Sequence, residues 1–319
     1  SLAKNGLVEL AKNGATSKQA INKLGAIVQD NTVDPDTRNL AKNGLVDLAK
    51  NTEVDQETKN LSISALGNMA KNTDDQVTRS LAQNGLVELA QNRDTSEQAI
   101  NELATMANDQ DTRNLGISGL RAIAQDNHVD SDIRNLAINK FIAAAKGDKE
   151  DISDAISRLR DIALDTTDKD VIRNVIEGLG NIAQDNNVDP DTRNLSISTL
   201  GNMAKNTEVD QETRSLGISG LVELAQNGAT SEQAINELGA IVQDNTVDTN
   251  TRKLGISGLV DLAKNGATSE QAINELGAIV QDNTVDAETR NLAKNELVEL
   301  AKNGATSEQA INELVNMAK

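Results

Sequence analysis

Near-identical internal repetition is the feature that most constrains what this chain can fold into. Residues 227–248 read NGATSEQAINELGAIVQDNTVD, residues 265–286 repeat them without change, and residues 13–34 differ only by carrying two lysines. A second unit, DPDTRNLSISTLGNMAKN from Asp189, recurs in variants between these blocks. The whole chain divides into about 17 such segments without a linker, and a period of this kind is typical of repeat architectures.

Each segment predicts one helix. In the segment that begins DPDTRNL, Leu40, Leu45 and Leu48 follow the 3.6-residue period of an amphipathic helix. We therefore expect these leucines to be buried, together with Leu254, the counterpart of Leu40. Helices that stack in sequence predict an all-α fold, a right-handed α-solenoid of about 17 helices. The array is expected to run as one continuous unit over residues 1–319, which is compatible with a window of a longer array.

The segment boundaries carry helix-capping signals. Asp34 and Asp189 precede a proline, as an N-cap residue does when Pro is the first helical residue. Segments end in Asn-Gly or Asn-Thr, which predicts a left-handed residue that closes the helix. Each TSEQ-type segment has a Thr three residues before a Gln, which predicts a capping box at Thr16, Thr95, Thr230, Thr268 and Thr306.

Small residues recur at one position of the apolar stripe. Ala41, Ser62, Ala82, Gly116 and Gly217 occupy this equivalent place. Because a glycine costs a helix about 1 kcal/mol relative to alanine, its repetition predicts close approach between neighbouring helix backbones.

The unit D-x-x-T-R-N-L-x-I-S-x-L-G-N-M-A, residues 189–204, resembles the second helix of HEAT and armadillo-type repeats. The resemblance covers essentially the whole chain and implies a scaffold. It also implies that Asp and Arg residues of the motif stack as a ladder between neighbouring repeats. By this resemblance the ladder arginines are Arg38, Arg79, Arg113, Arg134, Arg193, Arg214, Arg252 and Arg290, whereas Lys59 departs from the pattern.

Composition narrows the classes of function. The chain has 31 Lys and Arg against 49 Asp and Glu, a net charge of −18, which disfavours a nucleic-acid partner. It has no Cys, which excludes disulfides and thiolate metal sites. No apolar run is long enough to insert into a membrane. We therefore expect a soluble protein, cytoplasmic or secreted to the cell surface.

No catalytic or cofactor-binding constellation stands out. His128 is the only histidine, and no Gly-rich phosphate loop is present. We expect no enzyme activity and no cofactor. Acidic loops such as QDNTVDPD offer the oxygen ligands that Ca²⁺ prefers but lack EF-hand spacing, so we interpret them as structural turns. The weak calcium candidates are Asp30, Asp34, Asp36, Asp126, Asp130, Asp132, Asp185, Asp189 and Asp191.

Residues 141–177 depart most from the repeat and include Phe141, the only aromatic residue. We interpret them as a less homogenised copy. Interface hot spots are enriched in Trp, Tyr and Arg, and the chain has neither Trp nor Tyr. Contacts with a protein partner are therefore expected to be polar and repeated along the array. The candidate row is Asn43, Ser64, Asn84, Ser118, Asn139, Ser198, Ser219 and Ser257.

Neither the first nor the last segment is an atypical polar copy of the kind that usually ends a solenoid. Exposed apolar stripes there predict head-to-tail contacts between copies. The candidate residues are Leu2, Leu7 and Leu10 on one side and Ile311, Leu314 and Met317 on the other. The sequence thus predicts a non-enzymatic scaffold that binds protein partners on a curved surface. Two alternatives stay open: a structural protein that assembles end to end into a fibre or surface layer, and a designed or consensus repeat protein.

Overall fold

The computed structural model describes residues 2–13, 16–71, 75–145 and 149–318, without the side chains of residues 2–4, 145, 149 and 150. These residues form 17 α-helices and no β-strand, which confirms the all-α prediction. The helices are α1 (Leu2–Ala11), α2 (Ser17–Gln29), α3 (Pro35–Lys50), α4 (Gln56–Lys71), α5 (Gln76–Ala90), α6 (Ser96–Ala107), α7 (Arg113–Gln125), α8 (Ser131–Ala145), α9 (Lys149–Asp165), α10 (Lys169–Gln184), α11 (Pro190–Lys205), α12 (Gln211–Ala225), α13 (Ser231–Gln243), α14 (Thr249–Ala263), α15 (Ser269–Gln281), α16 (Ala287–Lys302) and α17 (Ser307–Met317).

The chain divides into two compact units, residues 1–146 and 147–319. In each unit every helix packs against the next helix and the next but one, so two layers form. In the first unit the layers are α1, α3, α5 and α7, and α2, α4, α6 and α8. In the second they are α9, α11, α13, α15 and α17, and α10, α12, α14 and α16. Each unit is an α-solenoid, as predicted. The continuous array over residues 1–319 and the right-handed superhelix stay predictions.

The predicted aspartate N-caps are confirmed. The Asp34 carboxylate accepts a hydrogen bond from the Thr37 backbone N–H at 2.9 Å, and Asp189 accepts one from the Thr192 N–H at 3.2 Å. Each carboxylate therefore satisfies one of the free donors at a helix start. None of the 17 helices of the described residues is long and apolar enough to cross a membrane.

The predicted capping boxes are wrong. The side chains of Thr16, Thr95, Thr230, Thr268 and Thr306 accept no hydrogen bond from the first turn of their helices. Each hydroxyl instead donates to the carbonyl of the leucine six residues earlier, as Thr230 Oγ1 does to Leu224 O at 2.6 Å. The threonine thus satisfies a free carbonyl at the end of the preceding helix and closes the short turn between the two helices.

The left-handed glycines predicted after the helices are also wrong wherever the structure describes them, whereas Gly14 lies outside the described residues. Gly228, Gly266 and Gly304 follow helices without adopting a positive φ. The residue that follows α12, Gln226, has right-handed helical backbone angles, and its N–H donates to Glu223 O. A right-handed turn brings the following threonine under the last turn of the helix, where its hydroxyl donates to the leucine carbonyl.

The buried stripe differs from the predicted one at its first leucine. Leu45 and Leu48 are fully buried, but Leu40 is 40% exposed and Leu254 is half-buried. The inward position is Ala41 rather than Leu40, because the helices approach too closely there for a large side chain.

Close backbone approach is confirmed at the small-residue position. A Cβ on Gly116 would overlap the backbone of Ala107, and one on Gly217 would lie 3.3 Å from the Leu200 carbonyl oxygen. The conformational cost of glycine is therefore offset by closer contact between the two helices.

Four pairs of the expected ladder join a basic residue to the aspartate that begins the next helix of its layer. Arg38 pairs with Asp75 at 2.6 Å, Arg214 with Asp248 at 3.2 Å, and Arg252 with Asp286. Lys169 pairs in the same way with Asp210. The other predicted ladder arginines donate hydrogen bonds to Asp111 O (Arg79), Ala144 O (Arg113), Ala124 O (Arg134), Asn186 (Arg193) and Asn283 (Arg290).

Candidate partner-binding groove

Each regular TSEQ-type helix uses a glutamate to cover a glycine on the preceding helix of its layer, two helices earlier in the chain. A Cβ on any of these glycines would overlap the glutamate carboxylate. We call them the covered glycines. The four pairs are Glu102 with Gly67, Glu237 with Gly201, Glu275 with Gly239 and Glu313 with Gly277.

Polar groups on the glycine-bearing helix hold the carboxylate in place. Glu237 accepts a hydrogen bond from Ser198 Oγ at 2.6 Å, and Lys205 Nζ lies 3.7 Å from its other oxygen. Glu275 accepts from Gln243 Nε2 at 3.2 Å. The space above a covered glycine is therefore a built recess that a side chain fills.

Gly180 of α10 has the same place in its helix as the covered glycines but no glutamate above it. The next helix of its layer, α12, belongs to the other type, and the nearest atom to a Cβ on Gly180 would be Leu224 Cδ2 at 4.0 Å. Between α12 and α14, the next two helices of this layer, Val222 of α12 fills the equivalent space. It would lie 2.8 Å from a Cβ on Gly258. Because α10 has glycine where α12 has Val222, a groove opens between α10 and α12.

The groove has a volume of about 370 Å³ and an apolar floor. Ile176, Leu216 and Leu224 form the floor around the recess. The rim is polar: Arg173, Glu177, Asn181 and Gln184 stand along α10, and Ser219 and Glu223 face them from α12. A concave apolar floor with a few polar groups around it is the usual form of a binding site.

The rim offers free carboxylates and amides. Arg173 is paired with Asp170 at 2.7 Å and approaches Glu212 at 3.8 Å. Glu177 and Glu223 are exposed, and neither forms an ion pair within the part of the chain that the structure describes. The amides of Asn181 and Gln184 are also exposed, without a hydrogen bond to any described residue. The unsatisfied charge at the rim is thus negative.

The predicted row of small polar residues does not form one exposed line. Within each unit its members divide between both helix layers. Ser64 and Ser198 are half-buried. They lie on helices that carry covered glycines, and they donate hydrogen bonds to the covering residues Glu102 and Glu237. Asn43 and Ser118 are also half-buried, whereas Asn84, Asn139, Ser219 and Ser257 are exposed. Of the eight, Ser219 lies in the groove; partner binding by the row stays a prediction.

The acidic loops are closed by their own hydrogen bonds. Asp30 accepts from the Thr32 N–H at 2.9 Å, Asp126 from the His128 N–H at 3.0 Å, and Asp185 from the Asn187 N–H at 2.9 Å. Asp130 accepts from the Asp132 N–H at 3.0 Å. Asp34 and Asp189 cap helices, and Asp36 and Asp191 are exposed in the first turns. Over the described ranges, no three acidic or histidine side chains converge as metal ligands.

The divergent residues 141–177 contain the boundary between the two units. Phe141 is buried in α8, and Arg158 and Arg160 pair with Asp154 and Asp161 on their own helix. The α10 side of the groove begins within this stretch. Sequence reasoning missed Gly180, Asn181, Gln184 and Glu223. A comparison of aligned segments could have found the recess, because α10 has Gly180 at the position where α12 has Val222.

The residues predicted to join copies end to end differ in exposure. Leu10 is 51% exposed and Ile311 is 48% exposed. Leu7, Leu314 and Met317 are half-buried, and the side chain of Leu2 lies outside the described residues. Their role in self-association stays a prediction.

No family model and no curated protein matches the sequence. Solved helical-repeat structures are similar to it at low identity. The TSC2 N-terminus is 15% identical over 98% of this chain and 81% of that chain, with a TM-score of 0.46. A computationally designed armadillo repeat protein for modular peptide recognition is 19% identical over 68% of this chain and 97% of that one, with a TM-score of 0.31.

Kap121p bound to Pho4p is 14% identical over 97% of this chain, with a TM-score of 0.40. This chain spans only 35% of the length of Kap121p in that structure.

Proposed function

We propose that this chain is a non-enzymatic α-solenoid scaffold that binds an extended segment of a partner protein in the groove between α10 and α12. The observation that carries the proposal is the open recess at Gly180, which a valine fills in the next joint of the same layer. A segment that places a side chain in this recess buries apolar surface that is otherwise exposed to water.

The chemistry of the groove selects the segment. Ile176, Leu216 and Leu224 suit an aliphatic side chain, which would cover the floor. Glu177 and Glu223 suit a Lys or Arg, because opposite charges across an interface give specificity and a faster association. Asn181 and Gln184 each offer an amide donor and acceptor to the backbone of an extended chain. The preferred ligand is therefore an extended peptide that alternates aliphatic and basic side chains.

Fluorescence anisotropy with a labelled peptide of alternating Leu and Lys tests this function. Gly180→Val introduces the side chain that α12 carries at the equivalent place and fills the recess. We expect it to weaken binding at least about tenfold, which corresponds to about 1.4 kcal/mol. Gly25→Val is the matched control, because Gly25 has the same helix position and a Cβ there would meet only Met69 Sδ, at 4.0 Å. Unchanged affinity in Gly180→Val would contradict the proposal.

Charge variants separate specific binding from attraction to a strongly acidic chain. Glu177→Gln with Glu223→Gln removes the rim carboxylates, whereas Glu208→Gln with Glu232→Gln removes two exposed carboxylates elsewhere in the second unit. We expect the first pair to weaken binding and to reduce its salt dependence more than the second. Equal effects from both pairs would show that only net charge attracts the peptide.

A further inference from the structure

In the ladder pairs, a basic residue and the start of the next helix of its layer share one carboxylate. Arg38 of α3 pairs with Asp75, the N-cap residue of α5, and Arg252 of α14 pairs with Asp286, the N-cap residue of α16. Each aspartate also accepts a hydrogen bond from a backbone N–H in the first turn of its own helix. One carboxylate thus neutralises a buried cation and satisfies a free donor at a helix start.

Lys59 of α4 lacks such a carboxylate. It lies four residues after Asp55, as Arg38 lies four residues after Asp34. The next helix of its layer, α6, follows Thr95, whose side chain accepts no hydrogen bond from the first turn. Lys59 is only 9% exposed, yet it forms no hydrogen bond or ion pair with any residue that the structure describes. Because a buried cation without an acceptor is costly, this contact between helices is incomplete without a negative group.

The start of α6 lies beside Lys59. Gln98, in the first turn of α6, donates from Nε2 to the backbone carbonyl of Asn60 at 3.3 Å, so the residue next to Lys59 touches this turn. In the ladder pairs, the basic residue at the place of Lys59 reaches the N-cap residue of the next helix. The same register therefore directs the Lys59 side chain towards the uncapped first turn of α6.

The contact between α11 and α13 repeats this arrangement in the second unit. Arg193 and Arg252 each donate from Nη1 to the asparagine seven residues earlier, at 3.4 and 3.3 Å, so the two guanidinium groups lie alike on their helices. Arg252 also meets Asp286, but α13 follows Thr230, whose side chain does not cap the first turn. Arg193 forms no ion pair within the described ranges and is half-buried, so ions in the solvent can reach it.

We propose that each of these two places binds a small oxyanion between the basic side chain and the first turn of the following helix. Phosphate and carboxylate both suit it, because the free N–H groups and the positive end of the helix dipole attract an anion. The ammonium of Lys59 or the guanidinium of Arg193 adds a charge-assisted hydrogen bond. The ligand thereby takes the place that Asp75 and Asp286 have in the ladder pairs.

One position distinguishes these two places from the other starts of TSEQ-type helices. Eight residues before the covered glycine, α4 and α11 have Lys59 and Arg193, whereas α13 and α15 have Ser231 and Ser269. Helices α15 and α17 also begin without a side-chain cap, but the helix before each of them in the layer has a serine instead of a cation. We therefore expect no oxyanion at the start of α15 or α17, and both serve as internal controls.

Amide NMR spectra during titration with inorganic phosphate test the proposal, with sodium chloride at equal ionic strength as the reference. We expect phosphate to shift the N–H signals of residues 96–98 and 231–233, the first turns of α6 and α13. The first turns of α14, which Asp248 caps, and of α15 should not shift. Sodium acetate presents a carboxylate in a second titration, and binding of either ion supports the proposal. It is overturned if neither ion shifts these two turns specifically, or if α15 shifts equally.

Replacement of the two cations shows whether they hold the ion. Lys59→Met keeps an unbranched side chain without the charge, and it should remove the shifts at residues 96–98 while those at 231–233 remain. Arg193→Met should have the opposite effect. Lys18→Met removes an exposed charge from α2 of the first unit and should retain both sets of shifts. Shifts that persist at residues 96–98 in folded Lys59→Met, or that disappear in Lys18→Met as well, overturn the proposal.

Discussion

The Glu275 carboxylate lies over Gly239 in the space that a Cβ on residue 239 would need. The pair belongs to consecutive helices of one layer, α13 and α15, and Gln243 Nε2 donates to the same carboxylate at 3.2 Å. Burial raises the pKa of Glu275 above its ordinary value. Sequence repetition thus places a charged group inside a packed joint, where glycine leaves the room and an amide supplies a donor.

The first prediction concerns the glycine. Gly25→Ala should stabilise the protein by up to about 1 kcal/mol, because alanine favours helix and only Met69 Sδ lies near, at 4.0 Å. Gly239→Ala, in a helix that differs from α2 at two residues, should lose that gain because the new Cβ displaces Glu275. Thermal unfolding of both variants measures the difference.

A double variant identifies the cause of this loss. Gly239→Ala should regain the stabilisation when Glu275→Ala removes the overlapping side chain, and the two changes should therefore be strongly non-additive. Additive effects would show that the carboxylate does not limit the residue at 239.

The second prediction concerns pH. The Thr289 hydroxyl, with the Thr289 N–H and the Arg252 guanidinium, lowers the pKa of Asp286 to about 2 from the ordinary value of 3.8. A depressed pKa in the folded state stabilises the protein above pH 3.8, and this contribution is lost as the pH falls towards 2. Asp286→Asn should therefore lower the unfolding free energy at pH 7 and change it little near pH 2. Asp94→Asn, in an exposed loop, is the control, and a constant Asp286 effect across this range would contradict the assignment.

The third prediction separates the two leucines that the sequence treats alike. Leu45→Ala removes a fully buried side chain and should cost about 2–5 kcal/mol, the usual range for such a truncation. Leu40→Ala should cost less than about 1 kcal/mol, since Leu40 is 40% exposed. Denaturant unfolding of the two variants measures the loss of unfolding free energy in each. Equal losses would show that Leu40 is buried in solution.

The sequence predicts the helices well because periodicity and aspartate caps are local signals. Asp34 and Asp189 cap their helices as expected, and the small residue at 116 marks a close approach between helices. The predicted threonine caps fail because two backbone groups compete for the same hydroxyl: a free N–H in the first turn of the following helix and a free carbonyl at the end of the preceding helix. Thr230 donates backwards to Leu224 O instead of accepting from its own helix, and the residues after it do not reveal that choice.

Sequence periodicity does not identify the candidate site, because the site depends on which helix types are neighbours in a layer. Gly180 reads like the covered glycines until the structure places α12, which has no covering glutamate, beside α10. Likewise, Ser64 and Ser198 read as surface residues until Glu102 and Glu237 reach them from the second helix along. These contacts join residues nearly 40 positions apart, and only the register of the stacked helices determines them.

Hydrogen–deuterium exchange with and without the alternating Leu and Lys peptide tests the central claim, a partner-binding groove between α10 and α12, most directly. The peptide should slow exchange in α10 and α12 of the wild type and leave α3 and α5 unchanged. Gly180→Val should abolish this protection while Gly25→Val retains it. Protection spread evenly over both units, or an undiminished effect in Gly180→Val, would contradict the account.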